Sequence, residues 1–100
     1  MSLIVAGTYR VPPENLAAIR PHMLTVVAAT RTETGCITYA YGEDVGEPGL
    51  IHVFERWTDQ AALDAHFASA HMQAWIAARA GFGLYDRQIS VYEVVGERKA

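Results

Sequence analysis

One hundred residues at 11.0 kDa are enough for one small domain and too few for two, since single domains commonly run to about 100–200 residues. Hydrophobic residues make up 51% of the chain and charged ones 19%, which argues for a packed core and against disorder or a collagen-like repeat. The formal net charge is −3 and the basic residues are scattered singly, so no electrostatic footprint for nucleic acid or an anionic membrane is present.

No apolar run approaches the ~20 residues that span a bilayer, and Met1-Ser2-Leu3-Ile4 lacks the basic region and cleavage site of a signal peptide. A soluble cytoplasmic protein is the expectation, folded as a single domain over residues 1–100, with an ordered core from about 3 to 95 and a frayed tail at 96–100. The lone cysteine, Cys36, cannot form an intramolecular disulfide and is expected to be a small buried residue. A small domain has much surface for its volume, yet half of this one is apolar, so some of that apolar surface is expected in an interface with another copy.

Leu3 to Val11 is rich in β-formers and closed by Pro12 and Pro13, which predicts a first strand. Leu16, Ile19, Met23, Val26, Val27 and Thr30 recur at helical spacing, predicting an amphipathic helix from about Pro13 to Arg31 that kinks or splits near Arg20 because Pro21 lacks an N–H. A second strand follows over Cys36 to Tyr41, and Gly42 to Gly49 is the clearest loop. Leu50 to Trp57 reads as a third strand, hairpin-paired with the second. Thr58 is the expected N-cap of an alanine-rich helix that breaks near Ser69, resumes from His71 to Ala80 and stops at Gly81 and Gly83. Tyr85 to Val95 is the last strand. The order β-α-β-β-α-β specifies an α+β, ferredoxin-like split arrangement with a four-stranded antiparallel sheet covered by helices on one face.

Such a sheet should alternate apolar and polar residues, because its second face meets water. Here Ile51, Val53 and Trp57 oppose Leu50 and Phe54, while Ile89 and Val91 oppose Tyr92 and Val94. Both faces are apolar, and an isologous homodimer is the simplest way to bury the second.

His66 and His71 are the candidate acid–base residues, since an unperturbed imidazole titrates near 6.5. As a metal pair they are weak: five residues on a continuous helix rotate by about 140°, and although a broken helix could bring them together, no cysteine or nearby acid completes a ligand set. His52 is assigned to the outer sheet face and His22 to a solvated helix surface. Glu55 shares the strand face of Val53 and Trp57, so its carboxylate must be hydrogen-bonded or beside a polar cavity. Arg56, on the other face, could reach across a dimer. Trp57, Trp75, Phe67, Phe82 and Tyr85 supply either a plain aromatic core or the wall of an apolar pocket. No phosphate-binding glycine loop, Rossmann pattern, serine elbow or Cys/His dyad is present.

Two stretches carry a resemblance. Ala28-Ala29-Thr30-Arg31-Thr32-Glu33-Thr34-Gly35-Cys36-Ile37-Thr38-Tyr39 and Glu55-Arg56-Trp57-Thr58-Asp59-Gln60-Ala61-Ala62-Leu63-Asp64-Ala65-His66, followed by His71, together resemble the antibiotic biosynthesis monooxygenase domain family, which includes the quinol monooxygenases. The resemblance implies a dimeric α+β barrel with a pocket between each sheet and its helices. It also implies oxygenation of a small electron-rich aromatic, such as a quinol, phenol or anthrone, by O2 without flavin, haem or metal. His66 or His71 would then accept a proton, Trp57 and Phe67 would wall the substrate, and Tyr41, Tyr85 or Arg87 would stabilise the phenolate. Glu55, by its strand face, and Trp75, by the aromatic concentration around the second helix, are the further pocket candidates. Haem degradation is disfavoured, because Gly7, His66 and Ile76 occupy the approximate positions of that branch's Asn, Trp and His. A non-catalytic dimeric binding or stress-response protein of the same fold is the alternative.

Overall fold

The computed structural model describes residues 1–100. Strand β1 (Ser2–Arg10) leads through a 3₁₀ turn at Pro13–Asn15 into helix α1 (Leu16–Thr30). Strands β2 (Cys36–Glu43) and β3 (Leu50–Trp57) follow as a hairpin, then helices α2 (Gln60–Ala68) and α3 (Ala70–Ala80), and finally β4 (Tyr85–Val94). The sheet order is β2-β3-β1-β4 and every pairing is antiparallel.

The register fixes what the helices cover. Tyr39, Glu55, Val5 and Val91 lie side by side across the four strands, and Tyr41, Val53, Gly7 and Ile89 form the next row. Alternation then buries Ile51, Val53, Glu55 and Trp57 of β3 beneath the helices while His52 and Phe54 point away. From α1, Leu16, Ile19, Met23, Val26 and Thr30 are buried, the stripe that the helical period picks out. Leu16, Ile19, Met23 and Val26 meet Tyr9, Val11, Ile51, Val53, Met72 and Trp75 in the larger core cluster, whereas Leu3, Val5, Tyr39, Trp57 and Leu63 form the smaller one.

Four local expectations are corrected. Helix α1 runs unbroken through Pro21 rather than splitting near Arg20. Pro21 sits on the exposed side and removes a single backbone bond, while the buried stripe holds both halves against the sheet. The N-cap of α2 is Asp59 instead of Thr58, with the extended Asp59 accepting a bond from Ala62 N–H at 2.8 Å through Oδ1. Strand β2 continues two residues beyond Tyr41, because Gly42 and Glu43 pair with His52 and Ile51. Cys36 is half-buried, as β2 is an edge strand with a register shift between Cys36 and Thr38.

The expected break at Ser69 is present. Its backbone is extended (ψ 150°) and it ends α2 and begins α3. Its hydroxyl donates to the His66 carbonyl at 2.6 Å and accepts from Met72 N–H at 3.3 Å, so one side chain serves both helix ends. No helix is long and apolar enough to cross a membrane.

Candidate functional site

Three side chains from three elements converge beneath the α2–α3 junction. Glu33 belongs to the turn between α1 and β2, His66 to the last turn of α2, and His71 to the first turn of α3. Glu33 Oε2 lies 2.7 Å from His66 Nδ1 and 3.0 Å from His71 Nε2. His66 is fully enclosed, while the Glu33 and His71 side chains are 15% and 25% exposed.

The local chain explains the convergence. Backbone bonds from Glu33 N–H to the Thr30 carbonyl and from Cys36 N–H to the Glu33 carbonyl hold the turn. Gly35, at φ +85°, lets it lie flat against α2: a Cβ there would stand 2.6 Å from Ala62 Cβ and 2.7 Å from Thr58 Oγ1. Thr58 N–H then donates to the Gly35 carbonyl at 2.9 Å. The extended residue at Ser69 turns α3 away from the α2 axis, so the five-residue separation no longer places the two imidazoles on different faces of one helix.

Protonation follows from donor logic. An ionised carboxylate only accepts, so the nitrogens facing Glu33 carry protons, and in the neutral rings His66 Nε2 and His71 Nδ1 are bare. His66 Nε2 is buried without a hydrogen-bond partner. Its ring stands 4.7 Å from Trp57 and 5.3 Å from Tyr39, centroid to centroid. Burial pulls the His66 pKa below its ordinary value, against the hydrogen bond and charge of Glu33, which raise it.

The other expected pocket residues are distributed around this centre. Glu55 is buried, accepts the Trp57 indole N–H at 3.0 Å, and is pushed up to about 7 by burial, against the Trp57 bond and the Arg87 charge. Tyr39 and Tyr41 share a hydroxyl–hydroxyl bond of 2.7 Å, and burial raises both phenols, Tyr41 to about 12. Trp75 packs against Tyr41 at 6.0 Å. Phe67 adjoins His66 at 5.5 Å with its outer edge in solvent. Tyr85 and Arg87 are exposed on β4. His52 is exposed and joined to Asp44 at 2.8 Å, and Arg56 reaches Glu97 and Ser2 within the same chain.

Two depressions open near these groups, and the expected residues do not share a single cavity. A cleft of about 290 Å³ between α1 and β2 is lined by Tyr41, Arg20 and Arg31, among others. A groove of about 110 Å³ between α1 and α3 is lined by His71, Trp75 and His22, among others. Sequence reasoning found both histidines and missed Glu33, although the residue stands inside the first motif stretch; no periodicity marks a single acid in a turn.

A four-stranded antiparallel sheet in the order β2-β3-β1-β4 with helices over one face defines an α+β, ferredoxin-like protein. Residues 2–78 match the family described as antibiotic biosynthesis monooxygenase. A Bacillus subtilis protein named “Putative monooxygenase YcnE” is 33% identical over 76 residues, covering 75% of this chain and 80% of its own. An uncharacterised Synechocystis protein is 28% identical over 92 residues, and the chain spans 63% of that relative's length. A Deinococcus radiodurans crystal structure described as a “putative antibiotic biosynthesis monooxygenase” superposes with a TM-score of 0.90 at 27% identity, covering 100% of this chain and 98% of the other. The chain belongs to the antibiotic biosynthesis monooxygenase family.

Proposed function

We propose that this chain is a monooxygenase that oxidises a small electron-rich aromatic, of quinol, phenol or anthrone type, with O2 and without flavin, haem or metal. The observation that carries the reading is the Glu33 carboxylate shared by His66 and His71. A carboxylate behind an imidazole fixes its tautomer and stabilises the imidazolium formed when the ring accepts a proton. His71 stands in the wall of the groove beside Trp75, so it is the member that meets a ligand, with Glu33 and the enclosed His66 behind it.

In this reading the substrate ring rests against Trp75 and a hydroxyl, or the acidic methylene of an anthrone, gives its proton to His71. The resulting delocalised anion passes one electron to O2, and the radical pair combines to a hydroperoxide. Loss of water, with the proton returned by His71, leaves a carbonyl: one oxygen atom enters the product, and the other leaves as water carrying two substrate hydrogens, the hydroxyl and ring C–H hydrogens of a quinol or phenol, or both methylene hydrogens of an anthrone. The protein supplies a base, a desolvated surface and orientation.

The same reading makes the functional unit a homodimer closed through the outer sheet face. Phe54 is 45% and Tyr92 54% exposed there, with Ala6, Ala40 and Ile4 beside them in register. Apolar side chains aligned across a sheet support burial against a second copy.

Oxygen uptake by flavin-free, metal-free protein over a panel of quinols, phenols and anthrones tests the reaction. Uptake above the protein-free blank is expected for at least one class. Thermal stabilisation by these compounds with no uptake across the panel would reassign the fold to binding alone.

A further inference from the structure

We propose that Glu33, His66 and His71 form a binding site for a divalent transition cation of the zinc type. The ligand atoms Glu33 Oε2, His66 Nδ1 and His71 Nε2 all lie within 4.8 Å of one another. Zinc holds imidazole nitrogen and carboxylate oxygen at about 2.0–2.1 Å, which sets neighbouring ligands of a tetrahedral ion roughly 3.4 Å apart. The carboxylate oxygen is already 2.7 and 3.0 Å from the two nitrogens, so those gaps open by less than an ångström, while the nitrogens, within 4.8 Å of each other, close toward the same edge length as the two N–H protons leave.

Chemistry and access agree with that geometry. Two imidazoles with one carboxylate favour zinc-type ions over magnesium and calcium, which take oxygen ligands. The set spans a turn and two helices, so its preorganisation comes from the fold rather than from one flexible loop. Ser69 Oγ stands 3.2 Å from His71 Nε2 but is held between the His66 carbonyl and Met72 N–H, so water takes the fourth position. The Glu33 and His71 side chains are partly exposed, so solvent reaches two members of the set, whereas His66 is fully enclosed.

This proposal does not rest on the oxygenase reading. The two are coupled in one direction: a cation on His71 Nε2 leaves the ring's remaining proton on Nδ1, so His71 stops being a proton acceptor. Zinc is therefore an inhibitor of any reaction in which His71 accepts the proton.

Calorimetric titration of chelator-stripped full-length protein with zinc chloride, with cobalt(II) substitution read by its visible ligand-field spectrum, tests the site. One ion per chain is expected, with the intense cobalt bands of a four-coordinate ion. Glu33→Gln and His71→Ala should each weaken zinc binding by at least about tenfold, and His52→Ala, at a separate His–Asp pair, should leave it unchanged. Circular dichroism identifies any variant that does not fold, and the wild-type cobalt spectrum is independent of the variants. Undiminished binding in both folded site variants, loss in His52→Ala, or an octahedral aquo-like cobalt spectrum would overturn the proposal. Zinc binding is read as heat and turnover as oxygen uptake, so either can fail without the other.

Discussion

Glu33 and His66 are separated by 33 residues in sequence and by 2.7 Å between Oε2 and Nδ1, with the imidazole fully enclosed and the carboxylate nearly so. A charge-assisted bond in such surroundings is a strong one, and the same oxygen also takes the bond from His71. The α1–β2 turn and the α2–α3 junction are thereby tied to each other through one carboxylate.

Removing that tie should be costly. Glu33→Ala leaves two N–H groups without their acceptor, one of them fully buried, and a buried unsatisfied donor costs about 1–3 kcal/mol. For a domain of this size the midpoint should fall by about 4–8 °C per kcal/mol. Differential scanning calorimetry measures it; a midpoint within a degree of wild type would mean that the tie adds no stability.

Gly35→Ala tests how Glu33 is placed. The added methyl would stand 2.6 Å from Ala62 Cβ at a backbone φ of +85°, so both the contact and the conformation are unfavourable. Strain of this kind costs about 1–3 kcal/mol. The variant should unfold at lower denaturant concentration than wild type, and a matched midpoint would show that the turn can relax away from α2.

Glu55 makes stability pH-dependent. Its folded pKa, about 7, lies above the ordinary carboxylate value of 4.5, so the folded chain holds a proton that the unfolded chain releases. The stabilisation is fully present below pH 4.5 and is lost as pH rises to about 7, a difference of roughly 3 kcal/mol at about 1.4 kcal/mol per unit. Glu55→Gln, which keeps an acceptor for Trp57, should flatten that decline. Urea midpoints measured between pH 4.5 and 7.5 check it; parallel wild-type and variant profiles would assign the slope to another group.

The outer sheet face gives a prediction about assembly. Phe54→Asp, on the exposed side of β3, places a charge amid the aligned apolar side chains, so the proposed dimer should dissociate with little change in the fold. Light scattering after size exclusion, with circular dichroism as the control, reads both. A wild-type monomer at tens of micromolar would contradict the interface.

How far the sequence carried this differs by element. The buried stripe of α1 and the limits of β3 were legible because a continuous pattern of apolar residues writes its own period. The Ser69 break was legible from a polar residue interrupting an alanine-rich helix. Thr58 and Asp59 are both good caps, and only the backbone conformation, extended at Asp59, decides between them. Pro21 leaves a kink or a split equally open in a one-dimensional pattern, which omits the packing that keeps α1 continuous. Glu33 was invisible as a site residue: its role comes from a turn docking on a helix junction, a contact between residues more than thirty positions apart.

The role of Glu33 behind the base is read most directly in the steady-state oxygen consumption of metal-free wild type and Glu33→Gln with the best substrate of the aromatic panel. The amide keeps an acceptor for the histidine N–H groups but removes the charge that stabilises an imidazolium, and general-base catalysis is worth about 10²–10⁴-fold. A fall in kcat of at least about a hundredfold is expected, with KM little changed. An unaltered kcat in folded Glu33→Gln would contradict that role.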